Sequence, residues 1–136
     1  MDITRLKTHH VQILTCISQM RKLAHAGVAE NAAGIAAQLK SLGGTIVTHL
    51  AAEDRVLYPS VIRHPDPKMS GLAKRYQDEM GDLAKKLQGF LRKWSNPNEL
   101  KRAPEEFRAE ANQVLRAVHD RITRENLEFY PMVEAI

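Results

Sequence analysis

Two short segments of this chain repeat one another. Residues 49–59 read HLAAEDRVLYP and residues 121–131 read RITRENLEFYP, so each carries a glutamate, then Leu or Phe four residues on, then Tyr-Pro. Shifted by 72 residues, Ile46 falls on Val118, Leu50 on Ile122, Glu53 on Glu125, Leu57 on Phe129, Tyr58 on Tyr130 and Val61 on Val133. A chain that repeats at about half its length is constrained to fold as two similar units related by a pseudo-twofold axis. Residues four apart on a helix lie one turn above the other. His49 and Glu53 therefore share a face, as a two-ligand half of a metal site or as a buried hydrogen-bonded pair. The repeat breaks at one chemically telling place, where His49 has Arg121 as its counterpart.

The rest of the chain reads as helix. Ala, Leu, Lys and Glu dominate and aromatics make up only 5%, which favours helix over sheet. Apolar residues recur at spacings of three and four in four stretches. Residues 2–26 form the first, with Asp2 as N-cap, His10 on an apolar seam of Ile3, Leu6, Ile13, Ile17 and Met20, and Gly27 just past the end. Residues 30–63 form the second, with Ile46, His49, Leu50, Glu53, Val56 and Leu57 on one face. Gly43-Gly44 suggests a break or a close helix contact, and Pro59 a kink. The segment His64-Pro65-Asp66-Pro67 divides the chain. Residues 69–94 form the third stretch, capped by Ser70, with Glu79 on its seam and Trp94 closing the bundle end; residues 103–134 form the fourth, with Pro104 in its first turn. Four amphipathic helices with short connections predict one domain, residues 1–136. Its expected architecture is all-α, an up-down-up-down antiparallel four-helix bundle made of two pseudo-repeated helical hairpins.

Composition narrows the function. The net charge is +4, but the 20 Lys and Arg are interspersed with 16 Asp and Glu, which reads as a solvated face and not a nucleic-acid patch. Cys16 is the only cysteine, so neither an internal disulfide nor a thiolate zinc site can form, and a reducing, cytoplasmic setting is expected. No apolar run approaches membrane length. Neither a nucleophile–base arrangement nor a phosphate-binding loop is present, which argues against hydrolase and nucleotide chemistry.

What remains is a set of polar residues on core-facing positions: His10, His49, Glu53, Glu79 and Glu125, with Arg121 at the seam edge. Buried carboxylates without partners cost several kcal/mol. Two devices compensate. A metal ion would neutralise them and accept imidazole nitrogen, as bundles do when they hold iron or manganese. Alternatively, Arg121 supplies the counter-charge in a metal-free salt-bridge network. Tyr58 and Tyr130 read as core-edge rings whose hydroxyls meet water or a carboxylate. His9, His25 and His64 read as solvated, and Cys16 as a residue on the flank of the core.

His10, the His49-x-x-x-Glu53 pair, the twice-found E-x-x-x-(L/F)-Y-P ending and the four-helix layout resemble the hemerythrin-like HHE cation-binding domain, over nearly the whole chain. Members of that family hold a non-heme di-iron centre inside the bundle and bind oxygen, sense oxygen or iron, or respond to nitric oxide and peroxide. The resemblance makes His10 the first-helix ligand, His49 and Glu53 the second-helix pair with Glu53 bridging, and Glu125 the fourth-helix carboxylate. Glu79 stands where the third helix usually offers histidine, and Arg121 where a fourth-helix histidine is expected. It implies non-heme iron, mono- or dinuclear, with manganese or zinc as alternatives, and a role in metal, oxygen or redox sensing or stress response. Two other readings stay open: a metal-free bundle that dimerises or binds a regulatory protein, and a carboxylate-bridged di-iron oxidase or peroxidase-like enzyme.

Overall fold

The computed structural model describes residues 1–136, and every regular element in it is helical. Helix α1 spans Thr4–Ala26; its N-cap is Ile3, not Asp2, although the Asp2 carboxylate just before it accepts from the Thr4 amide at 2.9 Å. Gly27 ends it in the left-handed region, at φ 139°, so that its amide reaches the Leu23 and Ala24 carbonyls. Helix α2 spans Ala32–Ala52 and runs through Gly43-Gly44 without a break. A Cβ on Gly43 would meet Leu91 at 3.4 Å, so this glycine sits at an approach to the third long helix.

A π-helical turn, Glu53–Leu57, follows α2 and leads into the short α3, Tyr58–Ile62. Helix α4 spans Pro67–Trp94 and is capped by Asp66, not Ser70; the Asp66 carboxylate accepts from the Lys68 amide at 2.9 Å. The Asn-Pro pair expected only to end that helix also starts a new one. Asn96 accepts from the Asn98 amide at 3.0 Å and caps α5, Pro97–Arg102. Helix α6, Pro104–Arg124, passes through a second π turn, Glu125–Phe129, into α7, Tyr130–Glu134.

The two π turns occupy equivalent places in the sequence repeat and have one cause. Proline lacks an amide hydrogen, and its ring excludes the carbonyl four residues before it. Just ahead of Pro59 the Tyr58 amide reaches back five residues to the Glu53 carbonyl, and just ahead of Pro131 the Tyr130 amide reaches Glu125 in the same way. Each extra residue rotates the helix beyond it. Val56, expected on the buried stripe, is thereby 63% exposed, while Leu57 and Tyr58 turn inward.

Helix α1 packs on α2 and α6, α2 on α4, and α4 on α6. The start of α1 lies beside α7, joined by a Lys7–Glu134 ion pair at 2.7 Å, and its end lies beside the start of α6, where Arg108 Nη2 donates to the Ala24 carbonyl at 2.8 Å. The apolar core is in two parts. The larger runs from Ile13 and Ile46 to Trp94 and Phe107. The smaller gathers Ile3, Leu6, Leu57, Tyr76, Phe129 and Val133. Between them lies a layer of buried polar residues. No helix is long and apolar enough to cross a membrane.

Trp94 closes the larger core as expected. It is fully buried and edge-on to Phe107, with ring centroids 5.5 Å apart, and its indole N–H donates to Glu110. Replacing Trp94 with Ala removes this volume and should cost about 3–5 kcal/mol of stability. Equilibrium urea denaturation followed by helical circular dichroism measures it; a cost under about 1 kcal/mol would show that this end of the bundle repacks freely.

Candidate metal centre

The polar layer is built from one side chain per turn on converging elements. The second turn of α1 supplies His10, the last turn of α2 supplies His49, and the first residue of each π turn supplies a glutamate, Glu53 and Glu125. All four are buried, none more than 3% exposed. One donor atom from each lies within 4.8 Å of every other. His49 Nε2 stands 3.2 Å from His10 Nε2 and 3.1 Å from Glu53 Oε1, and His10 Nε2 stands 3.4 Å from Glu125 Oε1.

Each of these groups is held from outside the cluster. His10 Nδ1 lies 2.8 Å from Asn126 Oδ1. The Asn126 oxygen accepts only, so Nδ1 carries the donated hydrogen and Nε2 is the nitrogen that faces the cluster. His49 is held through His9, whose Nδ1 is 3.3 Å from His49 Nδ1. The tyrosines cross over between the two halves of the repeat. The Tyr130 hydroxyl donates to Glu53 Oε2 at 3.0 Å and stands 3.1 Å from His10 Nε2, while the Tyr58 hydroxyl donates to Glu125 Oε2 at 3.3 Å.

Arg121 is also buried. Its Nη2 donates to the Tyr58 hydroxyl at 2.8 Å and to the Tyr76 carbonyl at 2.6 Å. Its Nη1 lies 3.6 Å from Glu79, its Nε lies 3.8 Å from Glu125 Oε1, and the guanidinium stacks 4.3 Å from the Tyr76 ring centroid.

Three sequence expectations change here. Glu79 does not join the cluster. Its side chain is 45% exposed and pairs with Arg124 at 3.0 Å as well as with Arg121. The seam position belongs to Met80, one residue on, which is buried. His9, read as solvated, is buried against His49. Tyr58 and Tyr130, read as core-edge rings, are fully enclosed, although their hydroxyls do meet carboxylates. Asn126 carries no signal in the sequence at all. It stays exposed, and only its side-chain oxygen reaches in to His10 from the residue after Glu125, at the start of a π turn that no apolar periodicity announces.

Burial sets the protonation of the cluster. It pushes His49 down to about 4, assisted by the neighbouring His10, so this ring is neutral near pH 7. It pushes Glu125 up to about 7, reinforced by the adjacent Glu53 carboxyl and opposed by the hydrogen bond with His10. It raises both tyrosines, so their hydroxyls stay protonated donors. Glu53 Oε1, although 3.1 Å from His49 Nε2, has no hydrogen-bond partner.

Two imidazole nitrogens and two carboxylate oxygens thus aim electron pairs at one place. Donors about 2.1 Å from a common ion stand roughly 3.0–3.4 Å apart, for octahedral to tetrahedral geometry. The spacings of 3.1, 3.2 and 3.4 Å meet that requirement. Nitrogen and oxygen donors without thiolate suit iron, manganese or zinc.

An all-helical bundle with such a cluster defines a class, proteins that hold a cation inside a helical core. The family is given by the sequence as a whole: residues 1–133 match the hemerythrin HHE cation binding domain, and the chain belongs to that family. Neither a curated protein nor a solved structure matches it.

The shifts give a pH dependence for the metal-free protein. The Glu125 carboxyl titrates higher when folded, about 7 against the usual 4.5. Folding therefore incurs no charge cost below pH 4.5, and stability is lost as pH rises through 7. His49 does the reverse, losing stability as pH falls from 6.5 toward 4. Replacing Glu125 with Gln removes the first dependence and, by taking its charge from beside His49, leaves the second in place at a lower pH. The variant's urea midpoint relative to wild type should climb between pH 4.5 and 7 and level off at higher pH; a difference flat across that window would contradict the assignment.

Proposed function

We propose that this protein binds a metal ion, iron in the first instance, through His10, His49, Glu53 and Glu125, and that it serves metal, oxygen or redox sensing or a stress response. The observation that carries the reading is the convergence of four buried donors within 4.8 Å of one another, neighbouring ones 3.1–3.4 Å apart, with one carboxylate oxygen lacking a hydrogen-bond partner. Membership in a cation-binding family supports it. Bound there, iron would supply a redox-active Lewis acid. The chain's own part is to fix the ligands: Asn126 and His9 orient the rings, Tyr130 and Tyr58 orient the carboxylates, and the apolar layers on either side exclude water.

The fold belonging to this reading is an antiparallel four-helix bundle, up-down-up-down. The contacts of α1 with α7 at one end and with α6 at the other support it, as does the pairing of the end of α4 with the start of α6 through Lys93 and Glu106. A cavity of about 20 Å³ touches His49, Glu53 and Glu125 and is otherwise lined mainly by apolar side chains such as Ile46, Leu83 and Val118. It has room for a molecule the size of water.

The metal-free reading has one observation in its favour, the contact of Arg121 with Glu125. The two are separated by anaerobic loading of untagged protein with Fe(II), desalting and metal analysis. Wild type should retain iron stoichiometrically, and Glu53→Ala, checked for helicity, should lose at least about tenfold in affinity. Wild type without iron, manganese or zinc after loading would leave the salt-bridge network as the function of the layer. The role of His9 makes a graded prediction. Its replacement by Ala should weaken iron binding by about 10–100-fold with the fold intact, the usual effect of losing a partner that orients a ligand; wild-type affinity would show that His49 is held by packing alone.

A further inference from the structure

The two halves of the repeat treat their charges differently. Glu53 and Glu125 are equivalent, as are Tyr58 and Tyr130, and each tyrosine bridges the carboxylate of the opposite half to one further group. Tyr130 bridges Glu53 to an imidazole, His10. Tyr58 bridges Glu125 to a guanidinium, Arg121. The first and third long helices correspond too, at a shift of 70 residues and not 72. The buried residues Leu6, His10, Ile17 and Met20 of α1 match Tyr76, Met80, Leu87 and Phe90 of α4. His10 thus has Met80 as its counterpart, and His49 has Arg121. One half of the layer presents two imidazoles; the equivalent half presents a thioether and a fixed cation.

We propose that the Arg121 guanidinium takes the place of a second cation, so that this bundle holds a single metal ion, in the half formed by His10, His49 and Glu53. Glu125 is shared between that ion and Arg121. This rests on the metal-binding reading and adds its nuclearity.

Three observations carry it. First, Arg121 is not a passing surface residue. It is 6% exposed and held by the Tyr58 hydroxyl, the Tyr76 carbonyl and the Tyr76 ring, so swinging away would break two hydrogen bonds and a cation–π contact. Second, the charges tolerate one ion and not two. Two carboxylates supply at most two negative charges and Arg121 already returns one positive. One divalent ion leaves a net charge of +1 in the layer, and a second would leave +3 in a low-dielectric core. Third, the donors on the Arg121 side do not suffice. Guanidinium carries no lone pair for a metal, and Glu79, the nearest further carboxylate, is committed to Arg124 at 3.0 Å and half exposed.

The test counts ions in the full-length protein. Load with Mn(II), desalt, measure manganese per chain by mass spectrometry, and record the EPR spectrum. Wild type and Arg121→Lys should each bind one ion and give the six-line pattern of isolated Mn(II). Arg121→His combined with Met80→His rebuilds the second half in the image of the first, and should raise the count to two with a spin-coupled spectrum. Two ions in wild type would overturn the proposal while leaving the metal-binding reading intact. No ion in wild type after loading with either Mn(II) or Fe(II) would overturn both. A double variant that keeps its helicity but stays at one ion would show that Arg121 is not what excludes the second. If the double variant does not fold, the wild-type count still decides.

Discussion

Two carboxylates buried in an apolar core are the constraint around which this protein is arranged. Glu53 and Glu125 sit in a layer that splits the core into two hydrophobic clusters. Uncompensated, each charge would cost several kcal/mol, a large part of what keeps a chain of this size folded. Everything else in the layer answers that cost. Tyr58 and Tyr130 donate to the carboxylates, Arg121 offers charge, and His10 and His49 offer either protons or lone pairs. One of the carboxylates carries its own remedy, since Glu125 is held near 7 and can take up a proton when no cation is at hand. Burial thus favours the protonated form of Glu125 even with the Arg121 cation 3.8 Å away.

The tyrosine-proline pairs give the layer its shape. Without Pro59 and Pro131 the helices would continue in ordinary α register. With them, each makes a π turn whose first residue is a glutamate and whose following tyrosine folds inward to meet the glutamate of the other half. Local backbone chemistry, repeated by an internal duplication, has become side-chain geometry at the site. The cost of an irregular helix is offset by hydrogen bonds that only the irregular helix can make.

Much of this is legible in the sequence, and the failures are physical. His10, His49, Glu53 and Glu125 stand out because polar residues at apolar spacing, recurring in a repeat, have no ordinary structural use. Glu79 is misplaced by periodicity because α4 is ambiguous there. From Tyr76, a step of three lands on Glu79 and a step of four on Met80, and both steps continue to Leu83; packing chose Met80. His9, Asn126 and the buried tyrosines escape for a different reason. Each lies next to a predicted ligand or just beyond a π turn, where an inserted residue rotates the chain by about 100° and the α-helical wheel no longer applies. The short helix α5 escapes because Asn-Pro both ends one helix and begins another.

Each ligand in the layer is steadied by a residue that belongs to a different ligand's element. Asn126, beside Glu125, steadies His10; His9, beside His10, steadies His49; Tyr130, on from Glu125, steadies Glu53; Tyr58, on from Glu53, steadies Glu125. The supports link three segments, α1, α2 through α3, and α6 through α7, in a closed circuit, so none of these can shift without loosening both its own donor and a neighbour's. Such a circuit has few half-assembled states. Occupancy should therefore tighten or release the layer as a whole, giving the molecule the behaviour of a latch and not of a dial.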